Sequence, residues 1–282
     1  MDSRKGFTLV ELLVVIAIIA LLMSILMPAL SRVRRQAKSV LCQTRLKQWG
    51  ACFEMYAGDN NGGFMEGWNE DGGNPVEPRD FWMESLRPYY KDPDLRMCPS
   101  TPKTGTEVGG GPYGGWGTFV AWGVFPGEEG EIFGEWPCVI SGDYGSYGNN
   151  GFICSPAPGV RIIQDSPVKY FWRRVDVKNT GAIPLFMDCQ WLDARPRDTD
   201  FPPEYDGEPW NIDHYNQMNR VCMSRHEGHI NIVYMDHAVR PVGLRALWKQ
   251  KWHRYFDLQN SWTEEGGCNL NDWPEWLRGF PD

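Results

Sequence analysis

The chain has 282 residues and a formal net charge of −8, with 36 acidic against 28 basic side chains, which argues against a nucleic-acid-binding surface. No Gly-rich Lys-Ser/Thr loop, nucleophile motif, long internal repeat, coiled-coil heptad or low-complexity tract is present, so nucleotide hydrolysis, a repeat architecture and a fibrous fold are not expected. About 250 residues follow the apolar N-terminal run, a length that suits one generous domain.

Phe7 to Met27 is a run of 21 residues whose only charge is Glu11, which meets the roughly 20-residue requirement for a helix to cross a hydrocarbon core of about 30 Å. A secretory signal peptide would have an apolar core of only about 7–15 residues followed by a small-x-small site, and Ser24 to Ala29 offers no clean one. A carboxylate inside such a span costs about 2.5–3.5 kcal/mol or more and is normally retained with a partner. No basic residue of the span stands near it in sequence. A cut between Gly6 and Phe7 would create an α-amino group at Phe7, and Glu11 of one subunit would then have a counter-charge on its neighbour.

Lys5-Gly6-Phe7-Thr8-Leu9-Val10-Glu11, with Pro28 further on, resembles the prepilin leader of the type IV pilin and type II secretion pseudopilin superfamily. The resemblance implies cleavage after Gly6 by prepilin peptidase, N-methylation of Phe7 with its charge retained, and filament assembly in which Glu11 sets register. It divides the chain into a leader at 1–6, a transmembrane helix at 7–28, an amphipathic continuation at 29–57 and a periplasmic head at 58–282. Charge bias points the other way: Arg32, Arg34, Arg35 and Lys38 crowd the far end of the span, against Arg4 and Lys5 at its start. The leader resemblance and the cysteines override that bias. Eight cysteines follow the span, an even count expected to form disulfides outside the cytoplasm, with Cys42 and Cys52 too far apart on one helix to bridge each other. No CxxC pair or zinc-finger spacing occurs, which argues against structural zinc.

Beyond Pro28, where a bend is expected, Leu30, Val33, Ala37, Leu41, Trp49, Cys52 and Tyr56 fall on one helical face, with Leu46 off it, until the stop signal of Gly58 to Gly63. Residues 58–160 read as loops and short strands, with a glycine turn over 107–112. Strands are predicted at Val168–Val177, Ile183–Cys189, Asn219–Ser224 and Ile230–Met235, and a short amphipathic helix at Leu244–Phe256. The fold class is α+β and pilin-like: one long N-terminal helix packed on an antiparallel sheet head with long irregular loops. Most of the 14 tryptophans are expected in the core.

Arg225-His226-Glu227-Gly228-His229 through Asp236 resembles the His-x9-Asp-Gly processing-associated segment of large bacterial pseudopilin-like proteins, with His237 where that pattern has glycine. Cys98-Pro99-Ser100 after Pro88-Tyr89-Tyr90, and the strand at Ile183–Asp188, look like the same group. His226, His229, Asp236 and His237 are read as a turn with solvated imidazoles, with a catalytic or metal role as the alternative. Asp188, Asp193, Asp198, Asp200 and Asp206 are read as a solvated acidic loop; calcium is the alternative that the resemblance raises.

The function implied is a non-enzymatic pseudopilin of a type II secretion filament or a related type IV pilus. Its partners would be other pilin-like subunits, prepilin peptidase, the secretion platform and cargo, with a single pass through the inner membrane and no cofactor. The alternative is a membrane-tethered carbohydrate-binding or hydrolytic protein that uses tryptophans and carboxylates in its head.

Overall fold

The computed structural model describes residues 9–67, 81–104, 107, 117–128, 131, 139–156, 167–209 and 216–280. The leader, Phe7, Cys138 and most of the glycine turn at 107–112 lie outside them. Helix α1 (Leu9–Asp59) is 51 residues long, about 75 Å, and runs through Pro28. It contains an 18-residue window of mean hydropathy 3.0. It ends where Asn61 and Gly62 turn to positive φ (53° and 77°) and the Gly62 N–H caps the Ala57 carbonyl at 2.7 Å.

The two halves of α1 meet different surroundings. Large apolar side chains from Leu9 to Val33 stand exposed, while Cys42, Leu46, Trp49, Gly50, Cys52, Phe53 and Ala57 are buried. This corrects the predicted stripe: Leu30, Val33 and Leu41 are exposed, and Leu46 sits at its centre. The described part of the head meets the helix from Arg35 onward, so a stripe extrapolated back through residue 30 runs past those contacts.

Five short strands form the main sheet in the order β6-β4-β5-β7-β8: β4 (Tyr147–Asn150), β5 (Pro184–Asp188), β6 (Asp193–Ala194), β7 (His229–Tyr234) and β8 (Val239–Gly243). Its pairings are antiparallel except β4 with β6, so the sheet is mixed rather than wholly antiparallel. A second sheet joins β1 (Lys103–Thr104), β2 (Val120–Gly123) and β3 (Tyr144–Gly145). The predicted strands at Ile183–Cys189 and Ile230–Met235 correspond to β5 and β7. Val168–Val177 instead opens with a 3-10 turn (Val168–Tyr170), and Asn219–Ser224 follows another (Gln217–Arg220). The Leu244–Phe256 helix is reduced to a 3-10 turn at Arg245–Lys249. In these stretches Phe171, Val221, Met223, Leu247, Trp248 and Trp252 plug the core from loops, so apolar density there reflects burial without a sheet ladder.

Helix α1 lies along β7 with matched spacing. Arg35 pairs with Glu227, Ser39 Oγ lies 3.4 Å from His229 Nε2, and Gln43 Nε2 donates to Asn231 Oδ1 at 3.0 Å. Four residues of helix advance about 6 Å and two residues of strand about 6.6 Å, so the two rows stay in step. Gly50 permits the close approach: a Cβ there would meet Val233 Cγ2 at 3.0 Å. Beneath this row Phe186 of β5 is the hub of an aromatic cluster, with ring centroids 4.9 Å from Trp49, 4.8 Å from Trp82 and 5.7 Å from Phe53.

Eight tryptophans are buried among the described residues, and Trp262 and Trp276 are half-buried. Their indole N–H groups serve the loops: Trp49 donates to the Leu95 carbonyl (3.0 Å), Trp82 to Leu192 (2.8 Å), Trp248 to Asp200 (2.8 Å) and Trp276 to Pro203 (2.9 Å). A head with few ladder hydrogen bonds thereby satisfies buried loop carbonyls through side chains.

The expected disulfides are not formed among the described cysteines. All seven are free, six of them buried. Cys154 and Cys189 donate to the Gly151 and Asp193 carbonyls, and burial pushes both thiols up to about 12, so they act as small, protonated core residues.

Two predictions follow from this packing. Leu46→Ala should destabilise the full chain in detergent by about 2–5 kcal/mol, whereas Leu41→Ala should change stability by less than about 0.5 kcal/mol, as read by chemical denaturation. The second concerns His253, whose ring stacks on Tyr170 at 4.5 Å and whose Nδ1 accepts the Tyr255 N–H at 3.2 Å. Burial, helped by Lys251 and Arg197, pushes His253 down to about 4. Because the unfolded chain takes up that proton first, near pH 6.5, stability is present above that pH and is lost as pH falls towards 4, by about 3 kcal/mol. His253→Phe should remove this share of the acid sensitivity when unfolding is compared at about pH 7 and pH 4.5.

Candidate functional site

Glu11 stands in the first described turn of α1 with its side chain exposed, where a carboxylate also suits the positive end of the helix dipole. Gly6 and Phe7, the predicted processing pair, lie outside the described residues. The exposed apolar surface surrounding Glu11 has no cover from the described residues of the head.

The histidine-rich stretch is split by the fold. Asp236 and His237 form the β7–β8 turn: His237 takes φ 60°, and Asp236 accepts the Ala238 N–H at 2.9 Å and pairs with Arg240 at 2.9 Å. Histidine thus occupies a left-handed position that glycine would take at less cost, while its Nδ1 reaches Glu54 at 3.1 Å. His229 faces Ser39 of α1. His226 turns the other way, into the core.

The five aspartates of the predicted acidic loop do not converge. Asp193 lies between Arg195 (3.1 Å) and Arg220 (2.8 Å). Asp198 lies 3.7 Å from His253, Asp200 accepts the Arg197, Gln217 and Met218 N–H groups, and Asp206 accepts from Thr118 and Ser224. Four of the five are committed to side chains or backbone of the loops they pin, and calcium has no shared oxygen cage among them.

Asp188 belongs elsewhere. At the end of β5 it meets His226, Cys42 of α1 and Cys98, and one ligand-type atom from each of the four lies within 4.8 Å of every other. His226 Nε2 is 3.1 Å from Asp188 Oδ2 and 3.4 Å from Cys98 Sγ, and Cys42 Sγ is 3.5 Å from Asp188 Oδ2. All four side chains are buried. A surrounding set of groups fixes them. The Asn231 N–H donates to Asp188 Oδ2 (2.9 Å), Arg225 reaches Asp188 Oδ1 (3.3 Å), the Tyr147 hydroxyl meets Cys42 Sγ (3.3 Å), and Ser146 Oγ accepts the Cys98 N–H.

Electrostatics concentrate here. Burial alone would raise the Asp188 carboxyl, but His226 and then Arg225 hold it well below the ordinary range. Burial opposes a charged His226, yet Asp188 outweighs it and raises the imidazole to about 10. Burial would also raise Cys98, but hydrogen bonding from Cys42, reinforced by His226, brings it down to about 6, while burial drives Cys42 well up. The two sulfurs therefore share protons unequally, and the acid, base and thiols form one network.

Sequence reasoning missed this constellation. Its members stand at 42, 98, 188 and 226, so no short spacing announces them, and the cysteine parity argument drew attention to pairing instead.

The geometry defines a class first: an α+β head carried on one helix long and apolar enough to cross a membrane. Residues 1–27 match the family described as the prokaryotic N-terminal methylation motif. Over 61 residues the chain is 46% identical to the type IV wide pilus major component PilA4 of Thermus thermophilus, an alignment covering 22% of this chain and 47% of that protein. The chain thus spans about half the length of the curated relative it matches. No solved structure shows a significant match. By these matches the chain carries the N-terminal segment of the type IV pilin and pseudopilin superfamily.

Arg225 is fully buried and donates to the Thr118, Ser146 and Cys189 carbonyls as well as to Asp188. Arg225→Met should destabilise the full chain by about 3–5 kcal/mol in denaturant titration, since it takes one of two cationic partners from buried Asp188 and a donor from each of three buried carbonyls. Arg225→Lys should recover only part of that, because an ammonium lacks the fork needed to reach all four acceptors.

Proposed function

We propose that the protein is a structural subunit of a type IV pilin-like filament, and specifically a pseudopilin of a type II secretion system. Prepilin peptidase would cut between Gly6 and Phe7 and methylate Phe7. The helix would leave the bilayer to pack against other pilin-like subunits, with Glu11 paired to the Phe7 amine of a neighbour. The observation that carries this reading is the unequal use of α1: its first half is exposed and apolar on all sides, while its last turns are core of the head. A surface of that kind is stable in lipid or against copies of itself, and a growing filament exchanges one for the other.

The head is placed in the periplasm on the leader alone. Cysteine usage no longer adds support, because the described thiols are free. The secretion platform would supply force, and cargo would meet the head. The tethered carbohydrate-binding alternative has fewer stacking platforms than the tryptophan count suggests, since eight of the ten described tryptophans are buried and only Trp262 and Trp276 of the ten are half-buried. A surface pilus is the second reading, favoured by the similarity to a wide-pilus component. Subunit stoichiometry in purified filaments separates the two.

Intact mass of the membrane-extracted chain, with and without prepilin peptidase, tests the assignment. The expected product lacks residues 1–6 and carries one added methyl group. Glu11→Val should be processed normally yet enter filaments at least about tenfold less, because register is lost along with the buried charge pair. An extracted chain that still begins at Met1 and stays monomeric would overturn the proposal.

A further inference from the structure

We infer that Cys42, Cys98, Asp188 and His226 form a closed structural zinc site that staples the helical spine to the head. Tetrahedral zinc holds sulfur at about 2.3 Å and nitrogen or oxygen at about 2.0–2.2 Å, which sets neighbouring ligand atoms about 3.3–3.8 Å apart. The cluster already approaches those spacings: 3.4 Å from Cys98 Sγ to His226 Nε2, 3.5 Å from Cys42 Sγ to Asp188 Oδ2 and 3.1 Å from His226 Nε2 to Asp188 Oδ2. Two thiols, an imidazole and a carboxylate suit zinc, whereas calcium and magnesium require oxygen ligands.

Charge closes as well. Zinc takes both cysteines as thiolates and His226 as the neutral imidazole, so the bound site holds two thiolates, one carboxylate and one divalent cation, a net charge of −1 that buried Arg225 beside Asp188 offsets. The supporting shell is in place. Asn231 and Arg225 orient the carboxylate, Tyr147 reaches the Cys42 sulfur, and Ser146 fixes the backbone at Cys98. Four protein ligands and full burial leave no position open to water, which marks a structural rather than a catalytic centre.

The ligands come from four separate segments: α1, the turn after the 3-10 helix at Pro93–Arg96, the end of β5 and the loop before β7. Cys42 is also the first buried residue of α1 counted from its N-terminus. A metal there grips the spine at the edge of the head, where the exposed helix begins. This inference does not depend on the assembly role proposed for Glu11.

The test uses the full chain, purified in detergent without chelator and analysed for metal content and intact mass. About one zinc per chain is expected, with every thiol reduced. Cys98→Ser and Cys42→Ser should each lower zinc content at least about tenfold, while Cys222→Ser, a buried cysteine outside the cluster, should retain it. Because a ligand variant can misfold, the unmutated chain gives an independent reading. Exchange of its metal for cobalt(II) should produce the intense visible bands and thiolate charge-transfer absorption of a tetrahedral sulfur-ligated ion. Thiol alkylation should spare Cys42 and Cys98 until a chelator is added. Three results would each overturn the inference: no zinc and no uptake of added zinc by the reduced chain, a Cys42–Cys98 disulfide in the purified protein, or zinc that persists in both ligand variants.

Discussion

A single helix has to satisfy two solvents, and the rest of the chain is arranged around that constraint. From Leu9 to Val33 the large apolar side chains of α1 point outward on every side, and no described element of the head returns to cover them. Water cannot solvate that surface cheaply, so the segment must lie in lipid or against other helices. The head is consequently free of any duty towards the first half of the helix and must hold the second half by what remains, the turns between Cys42 and Ala57. An ordinary α+β domain would share one core among all its helices. Here the core is shared with less than half of one.

That economy explains how the head is built. Its strands are short, three of them only two residues long, β6 in the main sheet and β1 and β3 in the second, so ladders satisfy a small share of the buried backbone. Side chains take over the task. Indole N–H groups cap loop carbonyls, Asn150 Nδ2 ties the Pro184 carbonyl of β5 to that of Trp252, and Arg225 binds three carbonyls besides Asp188. Each such bond contributes little net energy, but leaving its carbonyl unpaired would cost about 1–3 kcal/mol, which is why so many tryptophans and buried arginines accompany so much loop.

Local chemistry was legible in the sequence, and long-range chemistry was not. The span announces itself because a membrane requirement is a matter of contiguous composition, and β5 and β7 are legible because a buried strand between turn formers is also local. The helical stripe went astray at Leu30 and Val33 because periodicity shows which residues share a face without showing how far along the helix a partner extends, and at Leu41 because the face that the head covers is the one with Cys42 and Leu46. Phe171 and Val221 suggested strands because a side chain buried from a loop has the same apolar character as one buried from a sheet. The four residues around Asp188 gave no signal, since nothing in the spacing of positions 42, 98, 188 and 226 distinguishes them. Each member points elsewhere when read locally: His226 to a turn that belongs to Asp236 and His237, Asp188 to an acidic loop, and Cys42 and Cys98 to disulfides.

The placement of that cluster follows from the same division of the helix. The exposed surface of α1 gives way to core at Cys42. Just before that point the contacts are polar and partly solvated, Arg35 with Glu227 and Ser39 with His229, and exposed pairs of this kind contribute at most about 1 kcal/mol each. Apolar packing by Leu46, Trp49 and Phe53 resists separation but is non-directional, so by itself it tolerates small slips of a helix along a sheet. A buried set of charged and thiol groups drawn from α1, β5 and two loops is directional: moving the helix by one turn would displace Cys42 by about 5.4 Å and break its contacts with Asp188 and Tyr147. The network therefore fixes register where packing alone fixes only proximity, and it does so where the exposed helix becomes core.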